Sequence, residues 1–392
     1  MLLAARFLLS LTLVSAAGAK LYLESPSNDD RHAGWAHPVV TDSNTLSARA
    51  YQRMDEGPSQ DLANAQRIRE QLLATNAASA EQWWSLGAVL AKTGQMEKGR
   101  YCYLRAAELA PNSVEAQLAV ASFYINAGEG RSALPYLGKI LDRTGLYDDT
   151  VFNYLDALKL DFNQIAAHSG VSAQSRGAQS YFRHLLSTGD VDNARKAWHW
   201  LNPASADAKL ADDYVTFLAN KGLADEAAQT WDTKWGESQT ALLHNGEFER
   251  DPSAAFFDWR ISPPQHVNIS RDETVFHSGR SSLRIEFDGQ ENLDYAGLSQ
   301  RVFLQPGTYR LSAFVLTQDI TTDQGVALRI LNVETEKVTG TVDWKQLEAA
   351  VVVPFPARIV EIQMVRHPSL RFDSKIAGTA WIDSVTLRRV RY

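Results

Sequence analysis

Cysteine is nearly absent from this chain: there is one, Cys102, in 392 residues. That excludes an intramolecular disulfide framework and any cysteine-based zinc cluster. Positive charge is not in excess either. The formal net charge of −7 argues against nucleic acid or an anionic membrane as the main partner. Beyond the first residues no apolar run reaches transmembrane length. Catalytic signatures are missing too: there is no G-x-S-x-G elbow, no phosphate-cradling glycine loop and no H-E-x-x-H helix. His277-Ser278-Gly279-Arg280-Ser281-Ser282 looks reactive, but sequence places no base or acid partner beside it. Paired carboxylates for glycoside hydrolysis are not decided by sequence. Nothing else points to a hydrolase, so the chain reads as a non-enzyme.

What is present fits a soluble globular protein of two or three domains, with hydrophobic content of 45% and charged content of 22%. The first residues read as an export signal: Arg6 is the charged start, Phe7 to Val14 the apolar core, and Ala17-Gly18-Ala19 the small-residue cleavage site. A retained anchor is the other reading of residues 1–19. With cleavage, the mature chain begins near Lys20 and is periplasmic or extracellular. Residues 20–43 are polar and broken by Pro26 and Pro38, as in a linker or extended arm.

The most ordered pattern is WWSLGAVLAKTGQMEKGRYCYLRAAELAP, from Trp83 to Pro111. Apolar residues three and four apart give two helices one sticky stripe each. Gly87 and Gly99 permit close approach, Thr93-Gly94 makes the turn, and Pro111 closes the unit. This stretch resembles a tetratricopeptide (TPR) repeat at nearly every signature position. The next comparable turn, Ala127-Gly128, lies 34 residues after Gly94. Further turns match at Thr188-Gly189 and Lys221-Gly222. Ala194 and Trp198, then Ala227 and Trp231, copy the spacing of Gly94, Gly99 and Tyr103. Between Gly128 and Gly189 one more pair is expected near Val151 to Leu160, with an interrupting loop from His168 to Arg176. Leu46, Ala50 and Met54, followed by a helix from Asp61 to Thr75, suggest a degenerate first repeat.

The expectation is therefore a helical-repeat domain over 44–238, with about five hairpins stacked as an α-solenoid. In TPR arrays the first helix of each hairpin lines a groove for a protein partner. The resemblance places Glu81, Trp84, Ala88 and Lys92 there, then Glu115, Leu118 and Ser122. Trp84 is the candidate anchor; packing against the Asp61 to Thr75 helix is its alternative.

At about Thr240 helical spacing gives way to seven or more short alternating segments, among them Ser282 to Phe287, Tyr309 to Thr317 and Ala380 to Leu387. They predict an antiparallel β-sandwich over 241–392. Its phrases are Asn245-Gly246-Glu247-Phe248-Glu249, expected to open the first strand, Trp259, His277-Ser278-Gly279 in a turn leading into the strand at Ser282, Pro306-Gly307-Thr308-Tyr309, Asp343-Trp344 and Ala380-Trp381-Ile382-Asp383-Ser384-Val385. In this order they resemble carbohydrate-binding jelly rolls of the family 4/9/22 type, in the galactose-binding-like group. The resemblance implies a structural calcium held by Glu249 and Asp383, an oxygen donor pair suited to that ion. An ordinary capped or surface carboxylate pair is the alternative. It also makes Trp259, Trp344 and Trp381 structural, leaving Tyr295 and Phe314 as sugar-stacking candidates with Arg329 and Gln300 as polar partners.

The sequence thus describes an exported, non-catalytic binding or scaffold protein, all-α then all-β. Its helical part would take a protein partner and its jelly roll a polysaccharide, as in envelope or exopolysaccharide assembly. A sugar-blind structural role is the alternative, and a glycan-active enzyme with an appended module the remote one.

Overall fold

The computed structural model describes residues 59–236 and 242–390. Residues 1–43, read from sequence as an export signal and a linker, and the stretch around Leu46, Ala50 and Met54 lie outside the described residues.

Eleven helices come first among the described residues: α1 (Ser59–Thr75), α2 (Ala80–Lys92), α3 (Met96–Leu109), α4 (Val114–Asn126), α5 (Gly130–Arg143), α6 (Asp148–Leu158), α7 (Phe162–Ser169), α8 (Arg176–Thr188), α9 (Val191–Trp200), α10 (Ala208–Asn220) and α11 (Ala224–Trp235). Short polar residues cap the starts of several, satisfying backbone N–H groups that have no partner inside the helix. Ser79, Ser113, Asp190 and Asp207 each accept a hydrogen bond from the backbone N–H three residues on. From α2 onward the helices pair as hairpins, and the turn glycines behave alike. Gly94, Gly128, Gly189 and Gly222 have φ of 79°, 78°, 81° and 77°, the left-handed region that a side chain resists. Five residues after each turn a small residue is buried: Gly99, Ala133, Ala194 and Ala227. The closeness is real at Gly87, where an added Cβ would lie 3.1 Å from the Gly99 carbonyl and 3.2 Å from the Cys102 Cβ.

Ion pairs repeat along with the turns. Arg100, after Gly99, grips Glu129 at 2.6 and 3.0 Å. Arg195, after Ala194, grips Glu226 at 2.5 and 2.8 Å. Both pairs are partly exposed and screened by water, so they serve mainly to fix register. The pair expected between Gly128 and Gly189 exists as α6 and α7, but α7 has only 8 residues. Gly170, at φ 72°, ends it.

The chain divides into two compact units, one ending at Gly177 and the other starting at Ala178. The second contains most of α8, the helices to α11 and every strand. A mesh of rings fastens its helices to the strands. Trp231 stacks on Trp235 at 4.2 Å and meets Phe257 and His244 edge-on at 5.7 and 5.3 Å. The backbone N–H of Phe256 donates to Asp212 at 2.6 Å, and the Arg301 guanidinium lies 4.8 Å from the centre of the Phe256 ring.

The strands are β1 (Arg260–Ile261), β2 (Val267–Asp272), β3 (Ser282–Asp288), β4 (Tyr295–Leu304), β5 (Gly307–Ile320), β6 (Ala327–Ile330), β7 (Val333–Glu334), β8 (Gly340–Val353), β9 (Arg358–Arg366) and β10 (Ala377–Arg389). They form two five-stranded antiparallel sheets, ordered β1-β4-β9-β6-β7 and β2-β3-β10-β5-β8. Leu283, Ile285, Leu298, Val302, Leu311, Val315, Ile362 and Ile382 fill the space between them. Alternation sets the faces: on β5, Tyr309, Leu311, Ala313 and Val315 point inward while Ser312, Phe314 and Leu316 point outward.

One expected strand is absent. Asn245 to Glu249 forms turns, because the Asn245 side chain bonds both the N–H and the carbonyl of Arg250 and closes the segment on itself. Asn245 and Phe248 have φ of 49° and 51°. Phe248 still reaches the core beside Trp259, whose indole N–H donates to the Asn245 carbonyl at 3.1 Å.

Candidate ligand-binding face

The turn from His277 to Ser281 lies against the outward side of the β2-β3-β10-β5-β8 sheet, and carboxylates hold it there. Asp383, fully buried on β10, accepts the backbone N–H of His277 at 2.8 Å, of Ser278 at 2.9 Å and of Ser384 at 2.6 Å. Burial raises its pKa against these three hydrogen bonds. Glu249 accepts from the N–H of Arg280 at 2.6 Å and of Ser281 at 3.2 Å, and the Arg280 N–H leads in lowering its pKa. Glu247 takes the Ser278 and Ser384 hydroxyls. Ser384, which also contacts His277 Nδ1 at 3.1 Å, has φ of 52° where the β10–β5 pairing slips.

With its turn so fixed, the His277 ring lies flat on Phe314, centroids 3.6 Å apart and planes 12° from parallel. Trp344 on β8 meets His277 at 5.7 Å and 66°. Phe276 and His277 are exposed, and Phe314 and Trp344 half-exposed. Exposed Gln346, Asp343 and Gln318 stand on neighbouring outward positions of β8 and β5. Rings beside amides and carboxylates can take the apolar side of a sugar while binding its hydroxyls. Beyond this cluster, Trp381 is fixed from both sides. Its indole N–H donates to Asp272 at 2.8 Å, and the Arg284 guanidinium lies 5.7 Å from its ring centre.

Asp383 and Glu249 Oε1 are taken by backbone N–H groups of the turn, and Glu249 Oε2 faces the Arg280 guanidinium at 3.6 Å, an arrangement of positive groups that disfavours a cation such as calcium. Among the described residues no group of three or more His, Cys, Asp or Glu is placed to hold a metal.

The predicted sugar-binding residues are not brought together. Tyr295 is 1% exposed, with its ring 5.5 Å from Phe287 in the core, so it offers no face to a ligand. Gln300 is likewise buried, donating to the His244 carbonyl at 2.8 Å. Arg329 lies on the other sheet, gripping Gln363 at 2.6 and 3.0 Å. It belongs to a polar row across that sheet, with Arg260, Ser299, Gln363 and Glu334 in successive register. Of the two predicted stacking rings, only Phe314 stands where a ligand can reach it. Trp344 and His277, assigned by resemblance to structure and to a turn, are the partners that sequence missed. Period-two counting from Leu347 puts Trp344 off the core-facing set, a signal that was available.

In the helical part, Glu81, Trp84 and Lys92 share one face of α2; Glu81 and Lys92 are exposed and Trp84 half-buried. Leu118 does not join them, because it packs into the helical core.

No family model matches this chain, and no curated protein matches it. Among solved structures, the sandwich part is similar to a family 61 carbohydrate-binding module in complex with β-1,4-galactotriose, at 23% identity and TM-score 0.29, covering 38% of this chain and 99% of that one. A Clostridium thermocellum xylanase 10B, whose family 22 binding and catalytic modules were crystallised with xylohexaose, matches at 17% identity and TM-score 0.28, covering 39% of this chain and 29% of that one. A Paenibacillus barcinonensis family 22 xylan-binding domain matches at 12% identity and TM-score 0.26, covering 38% of this chain and 93% of that one. At these identities and scores the likeness assigns no ligand to this chain. Among the described residues no helix is long and apolar enough to cross a membrane.

Proposed function

We propose that this is an exported, non-catalytic binding protein whose sandwich contacts a glycan through Phe314, His277 and Trp344, and whose TPR-like hairpins hold a protein partner. The carrying observation is the ring cluster itself: His277 laid on Phe314 beside a half-exposed Trp344, on a sheet face that three carboxylates keep rigid. A pre-ordered aromatic platform loses little entropy on binding, which is what a weakly interacting, hydroxyl-rich polymer requires. On the helical side, the face of Glu81, Trp84 and Lys92 supports peptide capture, with Trp84 as anchor.

Affinity electrophoresis of the full chain through gels containing single neutral or acidic polysaccharides tests the glycan half. Retardation by at least one polymer, lost in Trp344→Ala, is the expected outcome; unretarded migration in every gel would remove it. The specific observation favouring a purely structural sandwich is the ring mesh from Trp231 to Phe257, which makes the β domain a cap on the last helices. Under that reading, a pull-down from the native envelope recovers a protein partner while no polymer retards the chain.

A further inference from the structure

Sheet edges are where a chain invites another chain, and three of the four edges here are blunted. The edge strands β1 and β7 have 2 residues each, and β2 is short and polar, with Asn268, Ser270, Arg271 and Asp272 in its 6 residues. The fourth, β8, has 14 residues and ends its sheet. One side of it pairs with β5 as far as Val353. Among the described residues, the other side from Leu347 to Val353 makes no backbone hydrogen bond to anything else.

The usual guards are missing from that stretch, Leu-Glu-Ala-Ala-Val-Val-Val. It holds no lysine, no proline and one charge, Glu348. Its outward residues are exposed: Val352 is 67% exposed, and Phe355 just beyond is 85% exposed. A bare, apolar, extended edge of this kind is a template for strand pairing.

We propose that β8 pairs antiparallel with β8 of a second copy of this chain, joining two five-stranded sheets into one. A second copy brings the same unguarded edge, and two features of the stretch narrow the register. Centring the pairing on Glu348 would set two like charges face to face. Centring it near Val352 would bring Pro354, which has no N–H to donate, into the ladder. Centring it on Ala350 avoids both: Ala350 meets Ala350 of the other copy, Glu348 meets Val352, and Leu347 meets Val353. The two-fold axis of such a pair is perpendicular to the sheet. The His277, Phe314 and Trp344 clusters of both copies therefore lie on the same side, as a polymer-binding dimer would need.

The test uses the full chain. Sedimentation velocity across a concentration series shows a monomer–dimer equilibrium, and Ala350→Lys, which sets two ammonium groups face to face, shifts the midpoint at least about tenfold while leaving the thermal transition in place. Ala350→Cys gives a disulfide-linked dimer on mild oxidation, because facing Cα atoms in this register are about 4.5–5.5 Å apart. Glu348→Cys, its thiols about 13 Å apart along the strands, does not. The native Cys102 is buried and does not compete. A chain that sediments as a monomer at its highest soluble concentration, or a folded Ala350→Lys variant that dimerises undiminished, overturns the proposal. Equal crosslinking at 348 and 350 overturns the register.

Discussion

Replacing Asp272 with Asn should remove one identifiable part of the chain's acid sensitivity. Asp272 ends β2 and ties three elements together. It accepts the Trp381 indole N–H at 2.8 Å, the Thr274 N–H and hydroxyl at 2.8 and 2.6 Å, and the Val275 N–H at 3.2 Å. Burial pushes its carboxyl up, but these bonds to the charged form outweigh it and hold the pKa at about 2, against an ordinary 3.8. The folded value lies below the unfolded one. The stabilisation is therefore complete above about pH 4 and is lost as pH falls toward 2. The difference corresponds to about 2.5 kcal/mol, and partial exposure screens this to about 1–1.5 kcal/mol. Urea denaturation followed by tryptophan fluorescence, at pH 6 and pH 2.5, measures it. Wild type should lose about 0.7–1 kcal/mol more than Asp272→Asn over that interval, whatever the other carboxylates add to both. Equal losses in the two proteins would refute the assigned role of Asp272.

If Glu249 and Asp383 hold a turn and no calcium, EDTA leaves the melting temperature unchanged in differential scanning calorimetry. Asp383→Ala then destabilises by about 2–4 kcal/mol with or without added calcium, through the backbone N–H groups it orphans. A calcium-dependent melting temperature would contradict this. Gly87→Val should cost about 1–3 kcal/mol in chemical denaturation, because its Cβ arrives 3.1 Å from the Gly99 carbonyl and the two helices must part; no loss would mean they part freely. Trp231→Ala should cost about 3–5 kcal/mol. In wild type the unfolding of α10, α11 and the sandwich should be coincident, since Trp231 touches both Trp235 and Phe257; a helical transition separating from the sandwich would be the adverse result.

The parts of the fold that were legible in the sequence are those that local chemistry dictates. Gly94, Gly128, Gly189 and Gly222 could be aligned because each turn needs a left-handed residue, and all four adopt it. Alternation on β5 puts Ser312, Phe314 and Leu316 on one face without deciding which face is the core. Asn245 to Glu249 departs from the expected strand because a side chain bonding its own backbone competes with strand pairing, and alternation does not register that contest. The site was harder to read. Tyr295 and Phe314 are both aromatic residues on strands, and only the β4–β9 and β5–β10 registers decide that one faces the core and the other the solvent. His277 and Trp344 are 67 positions apart. They meet because Asp383, still farther along the chain, holds the turn between β2 and β3. No local pattern encodes a contact closed by three distant segments.

The central claim, that the glycan meets the aromatic face and not the polar row of the opposite sheet, is tested most directly by comparing two variants on one retarding polysaccharide. Trp344→Ala removes a ring and Arg329→Ala disrupts the row, on opposite sides of one sandwich. Binding should weaken at least about tenfold in Trp344→Ala, the loss of one stacked ring, and stay within about twofold of wild type in Arg329→Ala. Loss of binding in Arg329→Ala with Trp344→Ala unaffected would contradict the account.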